Sequence, residues 1–113
     1  MDSCDWKPFF KAAFERNPVS IEQFRDTDLH EIYNQLQSWP NESVYEDNRL
    51  ALPDEVVNFQ RGDGIEKAIT LMNITRARHI EVSLEQHEET VSVRQGKVRY
   101  DFTTVKKLKV PLI

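Results

Sequence analysis

The stretch FQRGDGIEKAITLM, residues 59–72, holds the residue types in this sequence that could do chemistry. Gly62 and Gly64 bracket Asp63 at the point where a loop gives way to a helical pattern. Free backbone amides at such a junction can bind phosphate, and a carboxylate there can serve in catalysis. The spacing also predicts a capping box, in which Asp63 accepts from the amide three residues on, that of Glu66, and the Glu66 side chain reaches back to the amide of Asp63.

Two other functions for this junction need features that the sequence lacks. A phosphate-binding loop needs the Gly-x-x-x-x-Gly-Lys spacing after a strand, and neither is present. An adhesive Arg-Gly-Asp tripeptide would require Asp63 to leave its cap. If the junction binds a partner, we expect Arg61, Asp63 and Gly64 to make the contact.

The longer stretch RGDGIEKAITLMNITRAR resembles the nucleophile helix of the transglutaminase-like family, part of the papain-like cysteine peptidase group. In that family a Gly-Asp-Cys run opens the helix, and a histidine and an aspartate from the following strands activate the cysteine. The resemblance covers about residues 53–102 and implies that Gly64 stands at the cysteine position. It places His79 or His87, with Asp101, at the partner positions. It therefore implies a degenerate, non-catalytic relative.

A second hypothesis, a small hydrolase or transferase, would use His79 or His87 with Asp101 or Glu66. It requires a pocket at the helix start and a histidine within about 3 Å of an acidic partner. Zinc-binding spacings such as His-Glu-x-x-His are absent, and the lone Cys4 permits neither an internal disulfide nor a cysteine cluster. We therefore expect no metal and no cofactor.

Composition sets limits on the class of protein. The 113 residues fit a single domain, residues 1–113, with 39% apolar and 30% charged residues. A net charge of −4 and a pI near 5.4 argue against nucleic-acid binding, which needs a surplus of Lys and Arg. No apolar run approaches the roughly 18 residues of a membrane span, and no signal peptide is visible. We expect a cytoplasmic protein that does not bind membranes, and its oligomeric state is left open.

Apolar residues at helical spacing predict helices over 5–16, 21–38, a short stretch from Pro53, and Asp63 to about Thr75. Ser20 and Gln23 match a capping box at the start of the second helix. The DTD run at 26–28 could restart that helix, so one bent helix and two short ones remain open.

Beyond these helices the apolar period changes from 3.6 to 2. Alternation predicts three strands, around 80–85, 91–94 and 98–103, with His79 opening the first strand and His87 in a QHEE turn. A fourth alternation at 108–112 contains Pro111, which fits only an edge strand or a tail. The sequence predicts an α+β fold, with N-terminal helices (about 5–76) packed on a C-terminal antiparallel three- or four-stranded β-meander (about 79–113).

These observations favour a non-catalytic domain that binds a protein or peptide partner, because the position implied for the nucleophile holds Gly64 and no other constellation replaces it. The alternatives are the small hydrolase or transferase and a structural component of a larger assembly. The last of these predicts a large exposed apolar patch.

Overall fold

The computed structural model describes residues 18–43, 45 and 50–105 of the chain. Within these residues four helices precede a three-stranded antiparallel sheet, which confirms the predicted α+β class. The elements are α1 (Pro18–Gln23), α2 (Leu29–Ser38), α3 (Pro53–Phe59), α4 (Gly64–Ala77), β1 (Ser83–His87), β2 (Thr90–Gln95) and β3 (Val98–Thr103). The helix predicted over 5–16 and the alternation at 108–112 lie outside the described residues.

The segment predicted as one bent or two short helices forms two, α1 and α2. The carboxylate of Asp28 accepts from the amide of Glu31 at 2.9 Å, so the DTD run does restart the helix. The turn between the helices is closed by the amide of Thr27 donating to the carbonyl of Phe24 at 3.0 Å. Arg78 donates to the carbonyls of both residues at 2.6 Å and ties this turn to the end of α4.

The predicted capping box of Ser20 and Gln23 is wrong, because Ser20 lies inside α1 and is fully buried. The cap comes from another helix: Asp54 of α3 accepts from the amides of Val19 at 3.1 Å and Ser20 at 2.8 Å. The hydroxyl of Ser20 instead accepts from the side chain of Asn73 on α4 at 2.8 Å. Helix α1 is therefore held by contacts with both α3 and α4.

Helix α4 is the centre of the fold. Every residue of 64–75 is buried, although the apolar period predicted only one buried side. Its buried hydroxyls are satisfied by the helix itself: Thr70 donates to the carbonyl of Glu66 and Thr75 to that of Met72, both at 2.8 Å. The threonine hydroxyls of α4 therefore lie in the core without losing their hydrogen bonds.

The sheet packs one face against the helices. Inward side chains from all three strands join the core, namely Leu84, Val91, Val93, Tyr100 and Phe102. Tyr33 of α2 lies against two of these rings, with centroids 5.1 Å from Tyr100 and 5.3 Å from Phe102. The aromatic contact fixes α2 over β3.

The predicted QHEE and QGK connections are two-residue hairpin turns. Glu88 and Gly96 occupy the first position of each turn with φ of 57° and 59°. The first strand begins at Ser83, not near Ile80 as predicted, because the capping turn that follows α4 extends as far as Ile80. His79 takes a left-handed φ of 58°, and the amide of Ile80 still bonds a helix carbonyl at 2.9 Å.

Candidate functional site

Asp63 at the start of α4 is fully buried and holds two parts of the chain. Its carboxylate accepts from the amide of Ile65 at 3.0 Å and from the amide of Val105 at 2.8 Å. The hydroxyl of Thr104 donates to the same carboxylate. The predicted cap is confirmed, and it also fixes the segment that follows β3.

Glu66 completes the predicted capping box and binds a third part of the chain. One carboxylate oxygen accepts from the amide of Asp63 at 2.8 Å. The other accepts from the hydroxyl of Ser43 and the amide of Ala51, both at 2.7 Å. A fully buried carboxylate with three donors is well satisfied, so Glu66 serves as an internal anchor.

Lys67 is the third charged residue of this turn and is only 2% exposed. Its ammonium group donates to the carbonyl of Trp39 at 2.7 Å. Burial lowers the pKa of Lys67, and the nearby charge of Asp63 partly offsets that effect. Lys67 was not among the predicted site residues, although its position four residues after Asp63 places both on one side of the helix.

Gly64 allows β3 to approach the helix start closely. A Cβ atom placed on Gly64 would lie 2.0 Å from the carbonyl oxygen of Thr103 and 2.4 Å from its carbonyl carbon. Real Cβ contacts essentially never fall below 3.0 Å, so no side chain, including that of cysteine, fits without moving the backbone. At Gly64, where the resemblance implies a nucleophilic cysteine, the backbone of β3 occupies the space that a side chain would need.

The three predicted binding residues differ in what they could offer a partner. Asp63 is fully buried and Gly64 is buried too, with contacts inside the domain. Arg61 is half-buried, and among the described residues no acceptor reaches its buried Nε atom. Arg61 is therefore the one member of this trio with surface available to a partner.

The candidate histidines lie far from the helix start and from Asp101. His79 follows the last turn of α4, about 20 Å from Gly64 by the rise of the helix. His87 ends β1 and pairs with Thr90, which places it two strands across and two residues along the strand from Asp101, more than about 10 Å away.

Asp101 takes part in contacts on the outer face of the sheet instead. It accepts from the hydroxyl of Ser92 at 2.6 Å and pairs with Arg99 at 3.0 Å. In the described part of the chain no hydrogen bond or ion pair joins a histidine to a carboxylate. The arrangement required for a hydrolase or transferase is therefore not formed by His79 or His87 with Asp101 or Glu66.

The two outer strands of the sheet differ in how their edges are covered. In a two-residue hairpin the flanking residues bond each other, so the backbone groups of Asp101 and Thr103 point away from β2. Side chains cover the two carbonyls: Tyr33 and Gln37 donate to the carbonyl of Asp101 at 2.9 and 2.8 Å. Asn41 donates to the carbonyl of Thr103 at 3.0 Å. The edge of β3 is therefore covered at the carbonyls of these two residues.

The edge of β1 is uncovered at Leu84. By the same alternation, the amide and carbonyl of Leu84 point away from β2, and no described donor or acceptor reaches them. A surface with unpaired strand groups is a template for another strand. The predicted meander implied two edge strands, but it could not indicate which edge the helices would cover.

An open groove of about 690 Å³ lies beside this edge, between the last turns of α4 and the segment that leads into β1. Its apolar lining includes Met72, Ala77, Ile80 and Val82, and its polar lining includes Arg76, His79 and Glu81. Val82 lies two residues before Leu84, in phase with the inner face of the sheet. Side chains of an added strand would therefore point toward the groove.

Comparison with protein-family models, curated proteins and solved structures finds no significant match to this chain. The resemblance to transglutaminase-like proteins stays a prediction. Among the described residues, no helix is long and apolar enough to cross a bilayer, and no group of three or more potential ligands could hold a metal ion. The site must be interpreted from its own geometry.

We predict that replacing Gly64 with alanine lowers the unfolding free energy more than replacing Gly96 with alanine. Gly96 has open space around it, so Gly96→Ala should lose about 1 kcal/mol of unfolding free energy, from its left-handed φ alone. Gly64→Ala must displace the backbone of Thr103 and should lose about 3 kcal/mol. Urea denaturation of both variants measures the difference, and equal losses would contradict the close packing of α4 on β3.

We predict a pH effect that depends on Lys67. A pKa lowered by burial means that the unfolded chain holds the Lys67 proton at pH values where the folded chain has begun to release it. The unfolding free energy of the wild type, minus that of Lys67→Met, should therefore rise with pH until the pH exceeds 10.5, the usual pKa of lysine. Urea denaturation of both proteins in steps upward from neutral pH checks this. A difference that falls with pH would show that the fold favours the cation.

Proposed function

We propose that this chain is a non-catalytic protein-binding domain that takes an extended segment of a partner protein onto the edge of β1 at Leu84. The observation that carries the proposal is the contrast between the two sheet edges. Tyr33, Gln37 and Asn41 cover the edge of β3, while described residues leave the outward backbone of Leu84 uncovered. Strand addition uses such an edge for backbone hydrogen bonds.

The groove beside β1 supports the same proposal because it supplies a place for side chains. Backbone pairing gives affinity to any extended segment, whereas pockets for alternate side chains give selectivity. Met72, Ile80 and Val82 suit apolar side chains on one face of the added strand. His79 at the polar side of the groove is exposed and suits a carbonyl or acidic group.

The absence of catalysis in this proposal rests on the first turn of α4. Asp63 and Glu66 are occupied by internal hydrogen bonds, and Gly64 has no room for a side chain. A non-catalytic relative of the transglutaminase-like family is consistent with that packing. On this proposal the turn that resembles a nucleophile site became a structural anchor, and binding moved to the other end of α4.

We predict that Ala77→Arg impairs binding at the groove. Ala77 is exposed and lines the groove, so a long cationic side chain there blocks the space without disturbing the core. Peptides are first selected on the wild type from a random phage-displayed library, and their affinities are then measured by calorimetry. Dissociation constants should rise about tenfold or more in the variant, a change of about 1.4 kcal/mol.

The control variant is Asn34→Arg, which adds the same side chain to an exposed position of α2 away from the groove. It should leave the affinities unchanged. Amide chemical-shift changes in the wild type should centre on residues 80–87 when a peptide binds. Peptides that shift α2 or the outer face of the sheet, and that bind Ala77→Arg normally, would contradict the proposal.

A further inference from the structure

Two carboxylates flank the uncovered position Leu84 on the outer face of the β1 edge. Glu85 follows Leu84 directly, and Glu81 lies three residues before it. Ile80 and Val82 pack against the core while Glu81 is exposed, so the alternation of β1 continues back to Glu81. Both carboxylates therefore lie on the face away from the helices, about 13 Å apart along the strand.

Neither carboxylate is held in a strong ion pair. Glu81 has no hydrogen bond or ion pair in the described part of the chain. Glu85 pairs with Arg94 at 3.4 Å, and these side chains are 40% and 51% exposed. Exposed ion pairs contribute little to stability, so a cation from a partner can compete for Glu85. Glu88 and Glu89 in the adjoining turn are also exposed and add to the negative charge of this edge.

We propose that the segment bound at the β1 edge carries two apolar residues, opposite Val82 and Leu84, and a lysine or arginine on each side of that pair. The proposal rests on the proposed function, since it uses the same edge and defines the chemistry of the partner. The two cations lie four positions apart, opposite Glu81 and Glu85, where opposite charges across a strand pair are favourable. One residue between the apolar pair faces Ser83.

The segment lies over the start of β1 and the groove. Gln86 already takes part in an interaction of its own, so the segment gains its backbone hydrogen bonds at Leu84 and, by the same alternation, at Val82. Side chains opposite these two residues point to the inner face, where Met72 and Ile80 line the groove. The motif is the same for either strand direction, because opposed residues share one face of a sheet.

The probes are capped seven-residue peptides with the sequence Thr-Lys-Val-Thr-Val-Lys-Thr or with both lysines replaced by glutamate. Two mixed peptides carry one lysine and one glutamate, in either order. In calorimetry the wild type should bind the lysine peptide with a dissociation constant about tenfold or more below that of the glutamate peptide. The reason is that two favourable cross-strand pairs replace two unfavourable ones.

Reversing one charge of the protein tests the spacing. Glu81→Lys should weaken the lysine peptide about fivefold. One mixed peptide should then recover the lost affinity, namely the one whose glutamate lies opposite position 81. Recovery by both mixed peptides equally, or by neither, would overturn the proposed spacing. The matched control is Glu31→Lys, which makes the same charge change at an exposed site on α2 and should leave the affinities unchanged.

The two proposals fail in different ways. Library-selected peptides that bind the groove and are weakened by Ala77→Arg support the proposed function whatever their charge. If the wild type binds such peptides but does not prefer the lysine peptide to the glutamate peptide, the cationic partner is overturned and the proposed function stands. If it binds neither library nor designed peptides, both proposals fail.

Discussion

The fold depends on two buried carboxylates at the first turn of α4. A helix that begins inside the core cannot leave its first amides to water, so its own side chains must satisfy them. Asp63 and Glu66 do this and have oxygens left for other parts of the chain: the loop at Ser43 and Ala51, and the segment at Val105. The same hydrogen bonds of these two carboxylates therefore cap the helix and order the irregular segments.

That constraint explains why the most conspicuous motif in the sequence does not form an accessible site. The groups that could act on a ligand are turned inward, and the backbone of β3 fills the space above Gly64. Among the described residues, α2 and the segment at Asn41 cover the carbonyls of β3, whereas the outward backbone of Leu84 on the opposite strand, β1, is uncovered. The same packing that closes one end of α4 thus leaves the groove at its other end available for binding.

Local features were predictable from the sequence, and long-range ones were not. The caps by Asp28 and Asp63 depend on residues two or three positions away, and strand alternation is equally local. The capping of α1 by Asp54 joins residues 34 positions apart, and the approach of Gly64 to Thr103 joins different elements. No pattern along the chain encodes these contacts. The role of the β1 edge likewise depended on which strand the helices cover.

Native-state hydrogen exchange of the amides of Ala51 and Val105 tests most directly whether the α4 carboxylates hold the fold together. Both amides lie outside helices and strands, and both donate to a buried carboxylate of α4. If these carboxylates anchor the domain, both amides should exchange only through global unfolding, within about 1 kcal/mol of the amides in the middle of α4. Exchange through low-energy local opening, while α4 stays protected, would contradict the account.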